Sequence, residues 1–398
     1  MLGLSNRLNS SSQGGGGFKD LYSVLFDGVD EYIQVGDHSA FDITGHLTLA
    51  AWIKIDSFAN LQDGIITKCD SDGIGYGLNT IQSGSLIAFF PRNHNAQKAE
   101  TGALSTGTWY HIVGTHDTDA NENKIYVNRT LVETTADTNA MATNSSDLDI
   151  GRIFQDSAYT FDGNIDEVAI WDVALDADAI TKMYNGGIPL DLSINQGDYD
   201  NAANLKGYWR MGDGGLDSHP LIADQTNPTF GSDIVEANTA DLGSFDTDTT
   251  GSWSKNATLT HQASTGDAIL SNLSGSHSWL IYKASLLTVG GIYKATFKVK
   301  ATDNTSYLSL TNTSGVKHSY SAISNPALST TYQNYEFIFA AVHVNFEIST
   351  SASSTTYTAA NPDTGDTFTF DDIIIKQVNG NPGLMLNMEA ADIEEDTP

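Results

Sequence analysis

The residues of this chain best suited to chemistry are carboxylates set at the mouths of short apolar strands. Leu25-Phe-Asp-Gly-Val-Asp-Glu-Tyr-Ile-Gln-Val35 carries Asp27 and Asp30, and Phe161-Asp-Gly-Asn-Ile-Asp-Glu-Val-Ala-Ile-Trp-Asp172 carries Asp166. Two runs of this kind pair as neighbouring strands, and acids converging there offer the oxygen ligands that calcium takes. The competing reading makes them surface carboxylates in turns, where Asp is common.

Other chemistries fail on spacing. Asp70-Ser-Asp-Gly-Ile-Gly75 begins like an EF-hand loop, but its twelfth position is Ile81 where Glu is needed. Asp117-Thr-Asp-Ala-Asn-Glu-Asn123 has Glu122 where Gly belongs and reads as a solvated hairpin. There is no His-Glu-x-x-His, no Gly-x-Ser-x-Gly elbow and no phosphate-binding Gly loop. Tyr76, Phe89, Phe90, Trp253, Trp279 and Tyr282 are candidates for a sugar-stacking platform, against the alternative that they fill the core. Lys294, Lys298 and Lys300 form a basic stripe that reads as a solvated face.

Composition narrows the classes. The chain has 398 residues, enough for two sandwiches with connecting material. Its 49 Asp and Glu against 19 Lys and Arg give a formal charge of -30, a surface that repels phosphate backbones, so nucleic acid is excluded as a partner. Cys69 is the single cysteine, so there is neither a disulfide framework nor a Cys-based zinc site. No apolar run approaches the roughly 20 residues of a membrane span, and no membrane insertion is expected. Met1 to Gln13 lacks the apolar core of a secretory signal. Asn144 and Asn312 open Asn-x-Ser/Thr triplets, which carry no weight in a chain so rich in Asn, Ser and Thr.

The elements that must position these residues are β throughout. Short β-branched and aromatic runs such as Leu47-Thr-Leu-Ala-Ala-Trp-Ile-Lys54 and Tyr110-His-Ile-Val-Gly-Thr115 are punctuated by Gly, Asn and Asp. One helix is expected: Asp176 as N-cap, Asp178 in the first turn, Ile180, Met183 and Tyr184 on one face, and Asn185-Gly-Gly187 as the stop. In Tyr293-Lys-Ala-Thr-Phe-Lys-Val-Lys300 the apolar residues alternate strictly with polar ones. The fold class is therefore all-β: two jelly-roll β-sandwiches in tandem with one short helix closing the first. The expected divisions are an N-terminal anchor and Gly hinge (1–20), the first sandwich (21–190), a connector (191–240), the second sandwich (241–380) and an acidic tail (381–398) that does not fold alone.

Residues 22–187 resemble the laminin-G-like branch of the concanavalin-A-like jelly rolls. The likeness rests on the order of Phe26-Asp-Gly28, Leu49-Ala-Ala-Trp-Ile53, Ile65-Ile-Thr-Lys68, Gly75-Tyr-Gly-Leu78, Trp109-Tyr-His-Ile-Val113, Ile125-Tyr-Val-Asn128 and Gly163-Asn-Ile-Asp-Glu-Val168. The resemblance supports calcium at Asp27 and Asp166, as a structural ion. Asn128-Arg129 departs from the family's Asn-Gly hairpin and implies a turn of another type, since Arg at positive φ costs about 1 kcal/mol. Leu205-Lys-Gly-Tyr-Trp-Arg-Met-Gly-Asp213 and Ala223-Asp-Gln-Thr-Asn227 resemble the family's opening strand, so the connector is expected to return a strand to the first sandwich. Residues 241–378 are similar to family 4/9 carbohydrate-binding modules, a likeness that implies a calcium held by Asp246 with Asp371 or Asp372. Glucanases on this fold place catalytic acids on alternate residues of one strand. Asn164-Ile-Asp-Glu-Val-Ala-Ile170 does not repeat that spacing, and no catalytic residue is assigned.

The resemblance, with the connector Gly207-Tyr-Trp-Arg-Met-Gly-Asp213 and the ending Glu395-Asp-Thr-Pro398, implies a non-enzymatic surface protein of a tailed-bacteriophage virion. It would be a fibre, appendage or decoration subunit, made in the host cytoplasm, homo-oligomeric in the particle, and partnered by other virion proteins and a host surface glycan. The alternatives are a purely structural virion subunit with no ligand and a cellular carbohydrate-binding protein.

Overall fold

Runs that alternate apolar and polar residues bury one face as strands, and the Gly, Asn and Asp between them supply the turns. The computed structural model describes residues 18–398 apart from 59, 142, 236–242, 244–252, 256–257, 263, 265–266, 272–278, 303–306, 312–325 and 352–365. One sheet of the first sandwich contains β1 (Ser23–Asp27), β3 (Leu47–Ile55), β8 (Trp109–Asp117), β9 (Glu122–Val127), β10 (Thr130–Ala136) and β12 (Asp162–Trp171), ordered β10-β9-β8-β3-β12-β1. The facing sheet contains β2 (Tyr32–Gly36), β4 (Gly64–Cys69), β5 (Gly75–Ile81), β6 (Leu86–Phe90), β7 (Ala99–Glu100) and β11 (Leu148–Ile150), ordered β2-β11-β4-β5-β6-β7. Phe26, Leu49, Ile53, Leu78, Phe89, Ile112, Ile150 and Ile165 form the core between them, each such side chain stabilising by roughly 1.5–3 kcal/mol.

The helix α1 (Ala177–Tyr184) forms where its signals place it. Asp176 accepts hydrogen bonds from the amides of Asp178 and Ala179, and Asn185 takes the left-handed conformation at the C-cap. Ile180 and Met183 pack on the outer face of the first sheet, and Tyr184 stacks on Trp52 with ring centroids 5.7 Å apart. The β9–β10 hairpin differs from expectation. Asn128 and Arg129 both have positive φ, 48° and 68°, so the two-residue turn survives with Arg in the left-handed region. The strand register fixes this geometry by pairing Val127 with Thr130, while the Arg129 guanidinium lies 5.7 Å from the Tyr184 ring centroid.

After the helix the chain returns to the first sandwich. β13 (Leu205–Trp209) runs antiparallel to the second half of β12, and β14 (Leu221–Ile222) follows. Trp209 is fully buried in the core, and its indole donates to the Asn381 carbonyl at 3.0 Å. Asp217 and Asp224 hold the connector's shape: Asp217 accepts from the amides of Gly212, Gly214 and Ala223, and Asp224 from those of Tyr208, Thr226 and Asn381.

The second sandwich faces β15 (Phe230–Asp233), β17 (Thr258–Gln262), β18 (Asp267–Ser271), β20 (Ile292–Ala301), β22 (Gln333–Ala340) and β24 (Phe368–Val378) against β16 (Ser254–Lys255), β19 (Trp279–Lys283), β21 (Tyr307–Thr311) and β23 (Phe346–Ser351). Tyr293, Ala295, Phe297 and Val299 enter its core from β20.

The segment expected as an acidic tail is instead part of the first sandwich. β25 (Gly383–Leu386) lies between β14 and β2, and β26 (Ile393–Glu394) pairs with β1. Leu384, Met385 and Leu386 are all apolar, so their alternate facing across β25 leaves no pattern in the sequence. Met385 enters the first core, while Leu384 joins Leu221, Ile292, Ile338 and Val378 in an apolar cluster between the two sandwiches. The second sandwich is thus nested within the first along the chain.

Candidate functional site

Two features position functional groups: a charged junction on β12 and a polar strip on the outer face of the second sheet. β1 pairs with Asp162–Ile165 of β12 and β13 with Val168–Trp171, so two short strands share one edge. Between them, Asp166 and Glu167 lie where the register against β3 slips, and Glu167 takes φ 48°. The bulge turns both carboxylates into a site where Asp166 is 0 % and Glu167 3 % exposed.

Glu167 accepts from Arg210 Nε at 3.0 Å and from the Tyr208 hydroxyl. The Arg210 guanidinium also donates to the Lys19 carbonyl and stacks 4.0 Å from the Phe18 ring centroid. Asp213 Oδ2 accepts from the amides of Leu21 and Tyr22 at 2.7 and 2.8 Å. Asp166 Oδ1 accepts from the Glu167 amide at 2.7 Å, whereas Asp166 Oδ2 and Asp20 Oδ1 are buried without a hydrogen-bond donor. One oxygen each from Asp20, Asp166 and Glu167 lie within 4.8 Å of one another. Burial raises all three acids: Asp20 to about 6, Glu167 to about 8 against the opposing pull of Arg210, and Asp166 well above the usual range.

This cluster differs from the expected one. β1 and β12 do pair, but Asp27 faces Asp162, and Asp166 lies one step beyond the Val24–Ile165 pair. Four positions along a strand separate Asp27 from Asp166 by about 13 Å, so the two do not share an ion. Asp27 is exposed and caps its own turn, accepting from the Val29 amide at 2.8 Å; Asp30 is also exposed. In the second sandwich Asp371 and Asp372 flank Lys298, because the β20–β24 register sets Lys298 opposite Asp371. Asp246 lies outside the described residues. His46, Asp117 and Asp119 also gather near the surface, where His46 Nδ1 lies 3.3 Å from Asp117 Oδ1.

The expected aromatic platform does not assemble. Tyr76, Phe89, Phe90 and Trp253 are buried, the first three in and beneath the second sheet and Trp253 in the other core. Trp279 and Tyr282 lie on β19, where Tyr282 is partly exposed; the Trp279 side chain is outside the described residues. A different set reaches the surface. On the outer face of the second sheet, Asp149 and Arg152 form a buried ion pair, with Arg152 Nε and Nη2 at 3.0 and 2.7 Å from Asp149 Oδ2. The guanidinium lies 3.4 Å from the Tyr32 ring centroid, and Gln34 donates to Asp147 at 2.5 Å beside it. Tyr32, Gln34 and Asp147 are partly exposed. Burial pushes Asp149 up to about 7 despite Arg152. The sequence signal for this strip was the alternation Tyr32-Ile-Gln-Val35 and Leu148-Asp-Ile150, whose polar members must face away from the core.

No curated protein matches the chain. Among solved structures, a candidate carbohydrate-binding protein from Bacteroides ovatus is 21 % identical, with a TM-score of 0.42 over 55 % of this chain. The chain spans 62 % of the length of that protein. A SAP-like pentraxin from Limulus polyphemus is 13 % identical at TM-score 0.34, covering 41 % of this chain and 82 % of its own. The Ruminococcus gnavus IT-sialidase CBM40 bound to α2,3-sialyllactose is 15 % identical at TM-score 0.34, covering 42 % of this chain and 97 % of its own. Likeness at this level carries no argument about ligands. Residues 27–181, under half of the chain, match the family model Laminin_G_3 of the concanavalin A-like lectin/glucanases superfamily.

Proposed function

We propose that this chain is a non-enzymatic glycan-binding protein displayed on the surface of a tailed-phage particle. The observation that carries glycan binding is the strip Tyr32, Gln34 and Asp147 laid over the buried Asp149–Arg152 pair. The partly exposed Tyr32 ring beside the Asp147 carboxylate and the Gln34 amide suits the hydroxyls and apolar faces of a sugar ring. Binding is favoured over hydrolysis because Asp166 and Glu167 are buried and engaged with the backbone, Tyr208 and Arg210, out of reach of a substrate. The virion location draws on the connector and C-terminal resemblance, with many copies multiplying weak single-site affinity.

A glycan array probed with the full chain tests the reading. Gln34→Ala is expected to weaken binding at least tenfold while unfolding at nearly the wild-type temperature. Absence of binding from folded protein would leave a structural subunit. That second reading has one observation in its favour: the edge strand β10 exposes Leu131 and Val132, a surface suited to pairing with another copy. Immunogold labelling of purified particles tests the location.

A further inference from the structure

We propose that the outer face of the first sheet carries a binding site for a carboxylate-bearing saccharide, and that residues 393–396 hold it shut. The site lies on the opposite sheet from the strip at Tyr32 and does not rest on the reading of that strip.

The strand register builds it. Asn164 of β12 pairs with Lys54 of β3, and Lys54 pairs with Trp109 of β8. Their neighbours Ile165, Ile53 and Tyr110 turn towards the core, so the three side chains form one row on the outer face. β26 pairs with β1, which sets Glu394 opposite Ser23, and the chain then runs over the row as a strap. Glu394 Oε1 accepts from Asn164 Nδ2 at 2.7 Å; Asp396 pairs with Lys54 and accepts from Trp109 Nε1 at 3.0 Å.

Three observations make the strap a stand-in for a ligand. It reaches the row through carboxylates alone, held by an ammonium, an indole N–H and an amide, a donor set that selects anions. The fit is incomplete: Asn164 is 0 % exposed and its Oδ1 is buried without a donor. Ionised carboxylates only accept, so the acidic side chains of the strap cannot satisfy that oxygen, and those of another acidic peptide would share the shortfall. A saccharide acid brings hydroxyl donors beside its carboxylate, and the partly exposed Trp109 indole suits the apolar face of its ring. The latch is also weak. The Lys54 and Asp396 side chains are 17 % and 38 % exposed, so water and salt screen their attraction. In place, Glu394, Glu395 and Asp396 repel any other anion; displaced, they leave Lys54, Trp109 and Asn164 open to one.

The test compares the full chain with two altered forms. One lacks residues 394–398 and keeps Ile393, which packs against the first core. The other is full-length Glu394→Gln/Asp396→Asn, which loosens the strap without shortening it. Each is titrated by calorimetry with oligogalacturonate, alginate oligomers and hyaluronan fragments, and with neutral oligogalactan. Both altered forms are expected to bind an acidic oligosaccharide about tenfold or more tightly than the full chain does, with no gain for the neutral one. Adding Lys54→Gln to the shortened chain is expected to abolish the gain. Altered forms that melt as folded protein yet bind no acidic saccharide overturn the proposal. So does acidic binding equal in all forms, or a gain that survives Lys54→Gln, either of which puts the ligand on another surface. A gain only for the free peptide Glu-Glu-Asp-Thr-Pro overturns the saccharide class and assigns the row to the C-terminal segment of a second copy.

Discussion

Arg210 Nε lies 3.0 Å from Glu167 Oε1, joining the end of the returning strand to the bulge of β12. Their side chains are 14 % and 2 % exposed, so solvent screens the pair weakly. Removing the cation would leave a buried carboxylate beside Asp20 and Asp166. Arg210→Met is expected to cost about 3 kcal/mol in urea unfolding, the lower end for a broken buried pair because Glu167 can take up a proton. Arg210→Lys should recover only part, since an ammonium cannot reproduce the guanidinium contacts to Glu167 and the Lys19 carbonyl. A loss below about 1 kcal/mol for the Met variant would show that the pair does not hold the junction.

The C-terminal segment makes a second prediction. Asp396 pairs with Lys54 and accepts from the Trp109 indole at 3.0 Å, while Met385 and Met388 sit in the first core. Deleting residues 383–398 removes β25, which among the described residues is the strand that links β14 to its sheet, together with these contacts. At 2–5 kcal/mol per deleted core side chain, the first sandwich should melt at least about 10 °C lower. Deleting 391–398 alone should produce a shift of a few degrees and a change in Trp109 fluorescence. Equal melting of the full and 383–398-deleted chains would mean that β25 contributes nothing.

The contrast between α1 and β25 shows what was legible in the sequence. Asp176, Ile180, Met183 and Asn185 act locally, within one helix, so their spacing determined the element. The pairing of Phe26-Asp-Gly28 with β12 was likewise readable, because both strands carry strong apolar patterns. β25 was not, since its partners β2 and β14 are remote in sequence and four apolar or small residues have no period to measure. The site failed for a related reason. Pairing two strands does not fix their register, and an offset of four residues sends Asp27 to solvent while Asp166 meets Asp20. The fully buried aromatics Phe89 and Phe90 share a composition with sugar platforms, and only burial separates the two roles.

Stability should fall as pH rises from about 6.5 to 8. Burial raises Asp149 and Glu31 to about 7, inside this window, whereas Asp63 and Asp217, raised to about 6, lose their contribution below it. A carboxyl raised on folding keeps its proton in the folded state after the unfolded chain has lost it, so its stabilisation is complete near pH 4 and is lost as pH climbs through the folded value. Buried His111, lowered to about 3, acts in the opposite sense but only below about 6.5, where the unfolded chain protonates first. Above that pH the acids act alone. Melting temperatures measured across the window should decline, and Asp149→Asn should flatten the decline between pH 6.5 and 7.5. A wild-type profile rising over this range would contradict the assignment.

Gly163 tests why glycine opens the Gly163-Asn-Ile-Asp-Glu-Val168 segment. It sits opposite Phe26 of β1 and Ile55 of β3 with φ 135°, a region that side chains rarely enter. An added Cβ would lie 2.2 Å from the Lys54 carbonyl oxygen and 2.9 Å from the Asp56 nitrogen. Both are backbone atoms of the neighbouring strand and its turn, so relief requires opening the β3–β12 ladder at the point where the sandwich is closed. Gly163→Ala is therefore expected to cost about 3 kcal/mol or more, seen as a lower urea midpoint at unchanged slope. Gly102 provides the control: a Cβ there meets nothing within 4 Å. Gly102→Ala should stay within about 0.5 kcal/mol of wild type. Comparable losses at both positions would mean that glycine is required for chain flexibility, not for the close approach of β12 to β3.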